Sequence, residues 1–390
     1  MIDRFSLLHK FLRLSLVKFW QNLPSLRSLF YTPNSSVYLF LPINGAGLGH
    51  LTRCLAVAKR LKEFDPSAEI VFITTSIGVS LVYQAGFACY HVPPAALVGN
   101  KINSRKWNQL FFRTIEAVFL THHPATLIFD GSAPYLGLRR IIKNYSGARF
   151  IWIKRGLYRE SVDHKIIDSY VSWFDTVIVP QELGFEKNNS EIPLHVQKIR
   201  NINPVHLLGR DEILPAEIAE RILKLPDASI RVYVQLGAGN INGIVDLQTN
   251  IVRLLKKKGI QVILARSPIS LNSEACMEAD SIITDYPNSR YYSLFDFAVL
   301  ASGYNSVCEA VVLGLPAIFI PNMSTGADDQ LRRAQQAEEF GPYVTLPEFD
   351  DNSFDEAVKK MLGMLMAEQK NSYCRENGAV KAAVVIAGGR

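Results

Sequence analysis

Residues 295–333 read FDFAVLASGYNSVCEAVVLGLPAIFIPNMSTGADDQLRR, and the fold turns on them. Phe297 to Ala301 is a short apolar run with the character of a buried strand, and Ser302-Gly303 punctuates its end. A helix should follow. Ser306 and Glu309 stand at the S-x-x-E spacing of a capping box, and Gly314 and Pro316 mark the far end. Ala317 to Ile320 is then the next strand. Strand, polar turn, helix and strand make a βαβ unit, and in open α/β sheets ligands bind outside the carboxyl end of the first strand. The turn at Ser302-Gly303 is therefore the first place to look for chemistry.

This unit resembles the C-terminal half of the two-domain GT-B nucleotide-sugar glycosyltransferases, most of all the bacterial transferases that add N-acetylglucosamine to a lipid-linked muramyl pentapeptide. The resemblance implies that Glu309 binds the donor ribose. It also implies that Ser302, Gly303 and Ser306 lie near the diphosphate and that Asp329-Gln330 matches a pair reaching the sugar. The residues by themselves leave a second reading open, in which Glu309 caps its own helix and Asp328 and Asp329 complement the dipole at the next helix N-terminus.

Composition sets the bounds. A chain of 390 residues is long for one core, and two domains of roughly 150 to 200 residues are expected. Hydrophobic residues at 48% and charged residues at 20% exclude a disordered chain. The net charge of +6 suits anionic ligands such as nucleotide diphosphates or lipid headgroups, but it lacks the clustered basic footprint of a nucleic-acid binder. Cys54, Cys89, Cys276, Cys308 and Cys374 lie far apart without a C-x-x-C, which points to a reducing cytoplasm and no zinc site.

No run approaches the roughly 18 apolar residues of a membrane span. Within residues 1–30, however, Phe5, Leu8, Leu12, Leu16 and Phe19 share one helical stripe among Arg4, Lys10, Arg13, Lys18 and Arg27. Interrupting charges and the lack of a small-residue cleavage site argue against a secretory signal. A basic amphipathic helix suits the membrane interface, where a lipid-linked acceptor would be met. Packing on its own domain, or no specific role, are the alternatives.

Ser36 to Ile43 reads as the first strand and runs into Asn44-Gly45-Ala46-Gly47-Leu48-Gly49-His50, with a helix from Leu51 to Phe64 behind it. Glycines let the backbone approach a ligand, and the helix N-terminus favours an anion. The next strand, Ala68 to Thr75, ends in threonines where a dinucleotide site needs an acidic residue, which disfavours nicotinamide cofactors. The text GAGLGHLTRCL matches the N-terminal glycine loop of the glycosyltransferases just named. It looks equally like the GHxxRCL loop of the UDP-sugar hydrolases of the pseudaminic acid route.

His50 is the candidate general base, because imidazole titrates near neutral pH. Its alternative is a histidine that hydrogen-bonds the diphosphate or caps its helix. Gly47 and Gly49 belong to the same diphosphate and acceptor cleft, and Arg53 either pairs with phosphate or lies on the helix surface.

Ala88 to Val92, Thr126 to Asp130, Arg149 to Lys154 and Asp175 to Val179 read as further strands, the last closing the first sheet, with a long helix near Arg105 to Thr121. Asp130 and Arg155 follow strands and are candidates for acceptor contacts. His122 and His123 lack a third ligand nearby and read as C-terminal dipole partners, so no metal is expected. A second strand, Ser229 to Leu236, again runs into a glycine loop, Gly237-Ala238-Gly239-Asn240, then a helix over 243–258 and a strand from Gln261 to Ala265. The resemblance sets Gly237, Gly239 and Asn240 against the donor diphosphate. Helices at Ser353 to Ala367 and Tyr373 to Ile386 follow, and in the resembled fold the last one crosses back to the first domain.

The chain is thus expected to be α/β and of GT-B type, with two Rossmann-like domains whose parallel sheets face each other across a cleft. A basic segment at 1–35, an acceptor domain at 36–202, a linker at 203–214 and a nucleotide-sugar domain at 215–390 are anticipated. The expected activity is an inverting transfer, without metal or cofactor, from a UDP-sugar donor to a saccharide or lipid-linked acceptor, in the cytoplasm or on the inner face of the membrane. A UDP-sugar hydrolase and a non-catalytic sugar-nucleotide-binding protein on the same fold are the rivals.

Overall fold

The computed structural model describes residues 30–43, 47–95, 102–183, 196–237, 245–270 and 278–388. The amphipathic stretch up to residue 29 lies outside them, as do Gly239 and Asn240.

Two parallel sheets organise the chain. The first has the order β3-β2-β1-β4-β5-β6-β7. Its strands are β1 (Asn34–Pro42), β2 (Glu69–Thr74), β3 (Ala88–His91), β4 (Pro124–Asp130), β5 (Arg149–Ile153), β6 (Thr176–Pro180) and β7 (Ile199–Ile202). The second has the order β10-β9-β8-β11-β12-β13. It comprises β8 (Arg231–Gln235), β9 (Gln261–Ala265), β10 (Ser281–Ile283), β11 (Phe297–Ala301), β12 (Ala317–Ile320) and β13 (Tyr343–Thr345). Runs such as FAVL in β11 are buried on both faces because helices cover both faces of a parallel sheet.

One expectation is corrected here. The segment expected to close the first sheet is β6, but β7 pairs beyond it, with Val177 opposite Ile199 and Pro180 opposite Ile202. Four residues at a sheet edge carry no periodicity to read.

Helices α1 (Gly49–Phe64), α2 (Val79–Gln84), α3 (Ser104–His122), α4 (Leu136–Asn144) and α5 (His164–Ser169) accompany the first sheet. Helices α6 (Ala216–Leu223), α7 (Val245–Lys256), α8 (Tyr304–Leu313), α9 (Gln330–Ala337) and α10 (Asp351–Met366) accompany the second. Leu51, Cys54, Ala58 and Leu61 of α1 meet Phe40, Phe72 and Ile151 on one face of the first sheet. Phe111, Ile115 and Phe119 of α3 meet Leu39, Leu127 and Trp152 on the other. The second sheet repeats the plan, with Val307 and Val311 of α8 against Tyr233 and Phe319, and α7 and α10 on the opposite face.

The βαβ unit forms as β11, α8 and β12, with Ala298 opposite Ala317. Its helix starts earlier than the S-x-x-E spacing implies, because Gly303 is the N-cap and no side chain caps it. Ser306 therefore sits within the first turn, the capping box does not form, and Glu309 is not tied to its own helix end. The far end is as expected, with Gly314 at φ +84°, a left-handed conformation that a residue without a Cβ adopts at least cost.

Helix α11 (Gly378–Ala387) leaves the second sheet and packs on α1, placing Ala379, Ala382, Ala383 and Ile386 in the first core. The two chain passages between the halves lie side by side. The Gly378 N–H donates to the Pro204 carbonyl at 2.9 Å, and Asn377 Nδ2 to the His206 carbonyl at 2.8 Å. A Cβ on Gly378 would lie 1.9 Å from the Asn203 carbonyl oxygen, so only glycine permits this approach.

Candidate active site

Strand order reverses between β1 and β4 in the first sheet and between β8 and β11 in the second, and the loops at those points line one cavity of about 830 Å³. That is a size typical of small-ligand sites, which run from roughly 300 to 1,000 Å³. Gly47, Gly49, His50 and Arg155 line it from the first half, and Gly237, Gly303, Ser306, Glu309 and Gln330 from the second. The halves touch around it. Tyr286 Oη donates to Thr52 Oγ1 at 2.8 Å, Asn305 Nδ2 to the Gly49 carbonyl at 3.3 Å, and Arg159 Nη2 to the Met323 carbonyl at 2.8 Å.

His50 opens α1 at the cavity wall, and its Nδ1 lies 2.5 Å from Asp130 Oδ1. Asp130 ends the central strand β4 and is fully buried. A buried carboxylate needs partners. Arg53, one turn after His50, supplies them, with Nε 2.8 Å from Oδ2 and Nη2 2.6 Å from Oδ1. Burial works against the charge on Asp130, but the Arg53 guanidinium and then His50 outweigh it and hold the carboxyl below its ordinary value. An ionised carboxylate only accepts hydrogen bonds, so Nδ1 of His50 carries the proton and, in the neutral ring, Nε2 keeps its lone pair.

Asp130 was expected at the rim, in contact with an acceptor. It sits behind His50 instead, out of the cavity, because Arg53 and His50 occupy both of its oxygens. Arg53, for its part, lines the cavity rather than the outer surface of its helix. It is 6% exposed and committed to Asp130, with its guanidinium 5.3 Å from the centre of the Tyr304 ring.

Across the cavity, the first intrahelical bond of α8 runs from the Val307 N–H to the Gly303 carbonyl. The N–H groups of Tyr304, Asn305 and Ser306 therefore have no partner within the helix, and such an end favours an anion. Glu309, half-buried one turn further in, lines the same cavity. Desolvation pushes its carboxyl up to about 7, the Ser289 hydroxyl opposing. Gly237, at φ +94°, closes the cavity beside β8. Ser302 is buried beneath the turn rather than on the wall, and its carbonyl accepts from Arg333 at 3.2 Å.

The Asp329-Gln330 pair divides. Gln330 faces the cavity with Oε1 accepting from the Asn322 N–H at 2.9 Å, whereas Asp329 caps α9 by accepting from the Arg332 N–H at 3.1 Å and lies outside the lining. The acid that this loop adds to the wall is Asp328, which lies 3.4 Å from Arg155 and 2.7 Å from Arg333.

Arg333 is 1% exposed and forks onto Glu182, also 1% exposed, at 2.6 and 2.9 Å. This buried pair joins the first half to the two loops that carry Ser302 and Asp328, and sequence reasoning missed it. Arg332-Arg333 in a polar helix looks solvent-facing, and Glu182 lies 151 residues away.

Among the described residues, no three His, Cys, Asp or Glu side chains come together as a metal site. His122 instead bonds Glu69 at 2.7 Å and Tyr90 at 2.9 Å. Among the same residues no helix is long and apolar enough to cross a membrane.

Several known proteins resemble this chain in sequence or fold. The model of the glycosyltransferase family 28 C-terminal domain matches residues 236–385. The UDP-N-acetylglucosamine--N-acetylmuramyl-(pentapeptide) pyrophosphoryl-undecaprenol N-acetylglucosamine transferase of Clostridioides difficile (strain 630) is 24% identical over 345 residues, which is 82% of this chain and 80% of the relative. Its namesake in Alkaliphilus metalliredigens (strain QYMF) is 23% identical over 371 residues, 87% of this chain and 94% of the relative. Among solved structures, the glycotransferase of kitacinnamycin aligns with a TM-score of 0.58 at 12% identity, covering 91% of this chain and 99% of its own. Acinetobacter baumannii MurG aligns with a TM-score of 0.54 at 12% identity, covering 90% and 98%.

Proposed function

From the premise that the chain is a glycosyltransferase of the GT-B fold with a family 28 C-terminal domain, we infer that it moves a sugar from a UDP-sugar to a lipid-linked or saccharide acceptor by inverting displacement at the anomeric carbon. One observation carries the reading: His50, oriented by Asp130, and the uncapped N-terminus of α8 with Glu309 line one cavity. The relatives' own names, which specify UDP-N-acetylglucosamine and an undecaprenol-linked acceptor, support it. The matched family and these relatives are transferases, so the hydrolase reading of the His50 loop is not taken further.

In this scheme Nε2 of His50 takes the proton of the acceptor hydroxyl while its oxygen bonds the anomeric carbon and the carbon–oxygen bond to the diphosphate breaks. Charge building on the departing nucleotide is met by the N–H groups of Tyr304, Asn305 and Ser306, with the Gly237 turn and Gly303 allowing close backbone approach. Gly239 and Asn240 belong to the same donor loop. Glu309 takes the ribose hydroxyls, and Gln330 takes the sugar. Gly47, Gly49 and Arg155 face the acceptor. Residues 1–30 would hold the enzyme at the cytoplasmic membrane surface, where a lipid-linked acceptor resides.

Calorimetric titration with UDP, GDP and CMP tests the donor assignment. UDP should bind selectively, and Glu309→Ala should weaken it about tenfold or more, as expected for losing charge-assisted hydrogen bonds. Failure of all three nucleotides to bind would overturn the reading.

A further inference from the structure

Strand β5 ends beside Asp130, with Ile153 opposite it in register, so Lys154 and Arg155 leave the sheet at the same edge as the His50–Asp130 pair. Arg155 faces the cavity and Asp328. Lys154 differs. Its side chain is 15% exposed, and its nearest counter-charge is Asp168 at 4.0 Å, too far for a hydrogen bond, on a side chain that is itself 63% exposed. Burial draws the ammonium below its ordinary value, and Asp168 opposes this only in part.

The ammonium lies 5.1 Å from the centre of the Tyr158 ring. Tyr158 is 7% exposed, and its hydroxyl has no hydrogen-bond partner among the described residues. Arg155, Arg53, Asp168 and Asp130 are all within electrostatic reach of that hydroxyl. A largely buried ammonium thus stands beside a buried phenol whose hydroxyl has no partner among the described residues, and an unmet buried donor is destabilising. One oxyanion between them would accept from both, with Arg155 adding charge from the cavity side.

We propose that Lys154 and Tyr158 form an oxyanion subsite on the acceptor side of the cleft, receiving a phosphate or carboxylate group of the acceptor substrate next to the His50–Asp130 pair. This rests on the transferase reading, in which the first half receives the acceptor. The exposed Asp168 carboxylate then acts as a competitor for the ammonium when no acceptor is bound.

The full chain, first saturated with UDP, is titrated calorimetrically with inorganic pyrophosphate and, in a separate arm, with glucuronate. One anion per chain should bind, pyrophosphate more tightly if the acceptor carries phosphate and glucuronate more tightly if it carries a carboxylate. Lys154→Met should weaken the preferred anion about tenfold and Tyr158→Phe about threefold, while Asp168→Asn should strengthen it about threefold by removing the competitor. UDP affinity, unchanged in each variant, reports that the fold is intact. Equal anion affinity in wild type and Lys154→Met, or no binding of either anion, would overturn the subsite. Should wild type fail to bind UDP, the donor reading falls, and the same anion titration without UDP still decides the subsite.

Discussion

Replacing Glu309 with glutamine should make the free protein more stable at pH 8 while making it a poorer nucleotide binder. Desolvation lifts this carboxyl from its ordinary 4.5 to about 7, with the Ser289 hydroxyl opposing. The folded state thus holds the proton more tightly than the unfolded chain does. Stability is full below pH 4.5, declines as pH rises towards 7, and above that carries the whole penalty. Moving a carboxyl across that interval corresponds to about 3 kcal/mol. Glutamine keeps the volume and has no proton to lose. The difference in urea unfolding free energy between variant and wild type should therefore grow by about 3 kcal/mol from pH 4 to pH 8. A difference that stays flat across that range would refute the claim that this carboxylate is held desolvated at the cavity wall. The same variant should bind UDP about tenfold more weakly at pH 8, tying the instability to ligand recognition.

Three further substitutions probe the buried ion pairs. Glu182→Ala leaves Arg333 with Asp328 as its one counter-charge among the described residues and should cost about 3–5 kcal/mol in urea unfolding, whereas a cost below about 1 kcal/mol would show that the pair adds nothing. In the proposed reaction, His50→Ala should lower sugar transfer from the UDP-sugar donor by about 10²–10⁴-fold with UDP affinity unchanged. Asp130→Asn should lower it as well, and a fully active Asp130→Asn would remove the orienting role.

The fold was legible wherever a strand ran into a glycine turn and a helix. β1 with α1, β8, and β11 with α8 and β12 all announce themselves by apolar runs and punctuation. The edge strands β7, β10 and β13 did not, because three or four residues show no period. Ser306 and Glu309 show how a local rule can mislead. Their spacing fits a cap, but β11 ends early enough for Gly303 to start the helix, so backbone geometry overrode side-chain chemistry. At the site, the sequence puts His50 at the glycine turn after β1 and Asp130 at the carboxyl end of β4. Their pairing across 80 residues depends on β1 and β4 being neighbours, which no local text states. The Glu182–Arg333 link is harder still, since it exists only once the two halves have docked.

The return of α11 to α1 has a consequence for synthesis. The first sheet and its helices emerge from the ribosome early, yet the groove on α1 that receives Ala379, Ala382, Ala383 and Ile386 stays open until residues 378–387 follow the entire second sheet out of the exit tunnel. Until then an apolar face about one helix long is exposed to the crowded interior of the cell, the kind of surface that chaperones grip. The first core is therefore completed only when α11 docks on α1, after the second sheet has been made. A translation stall or a proteolytic nick before Gly378 would leave an aggregation-prone intermediate rather than a smaller working protein.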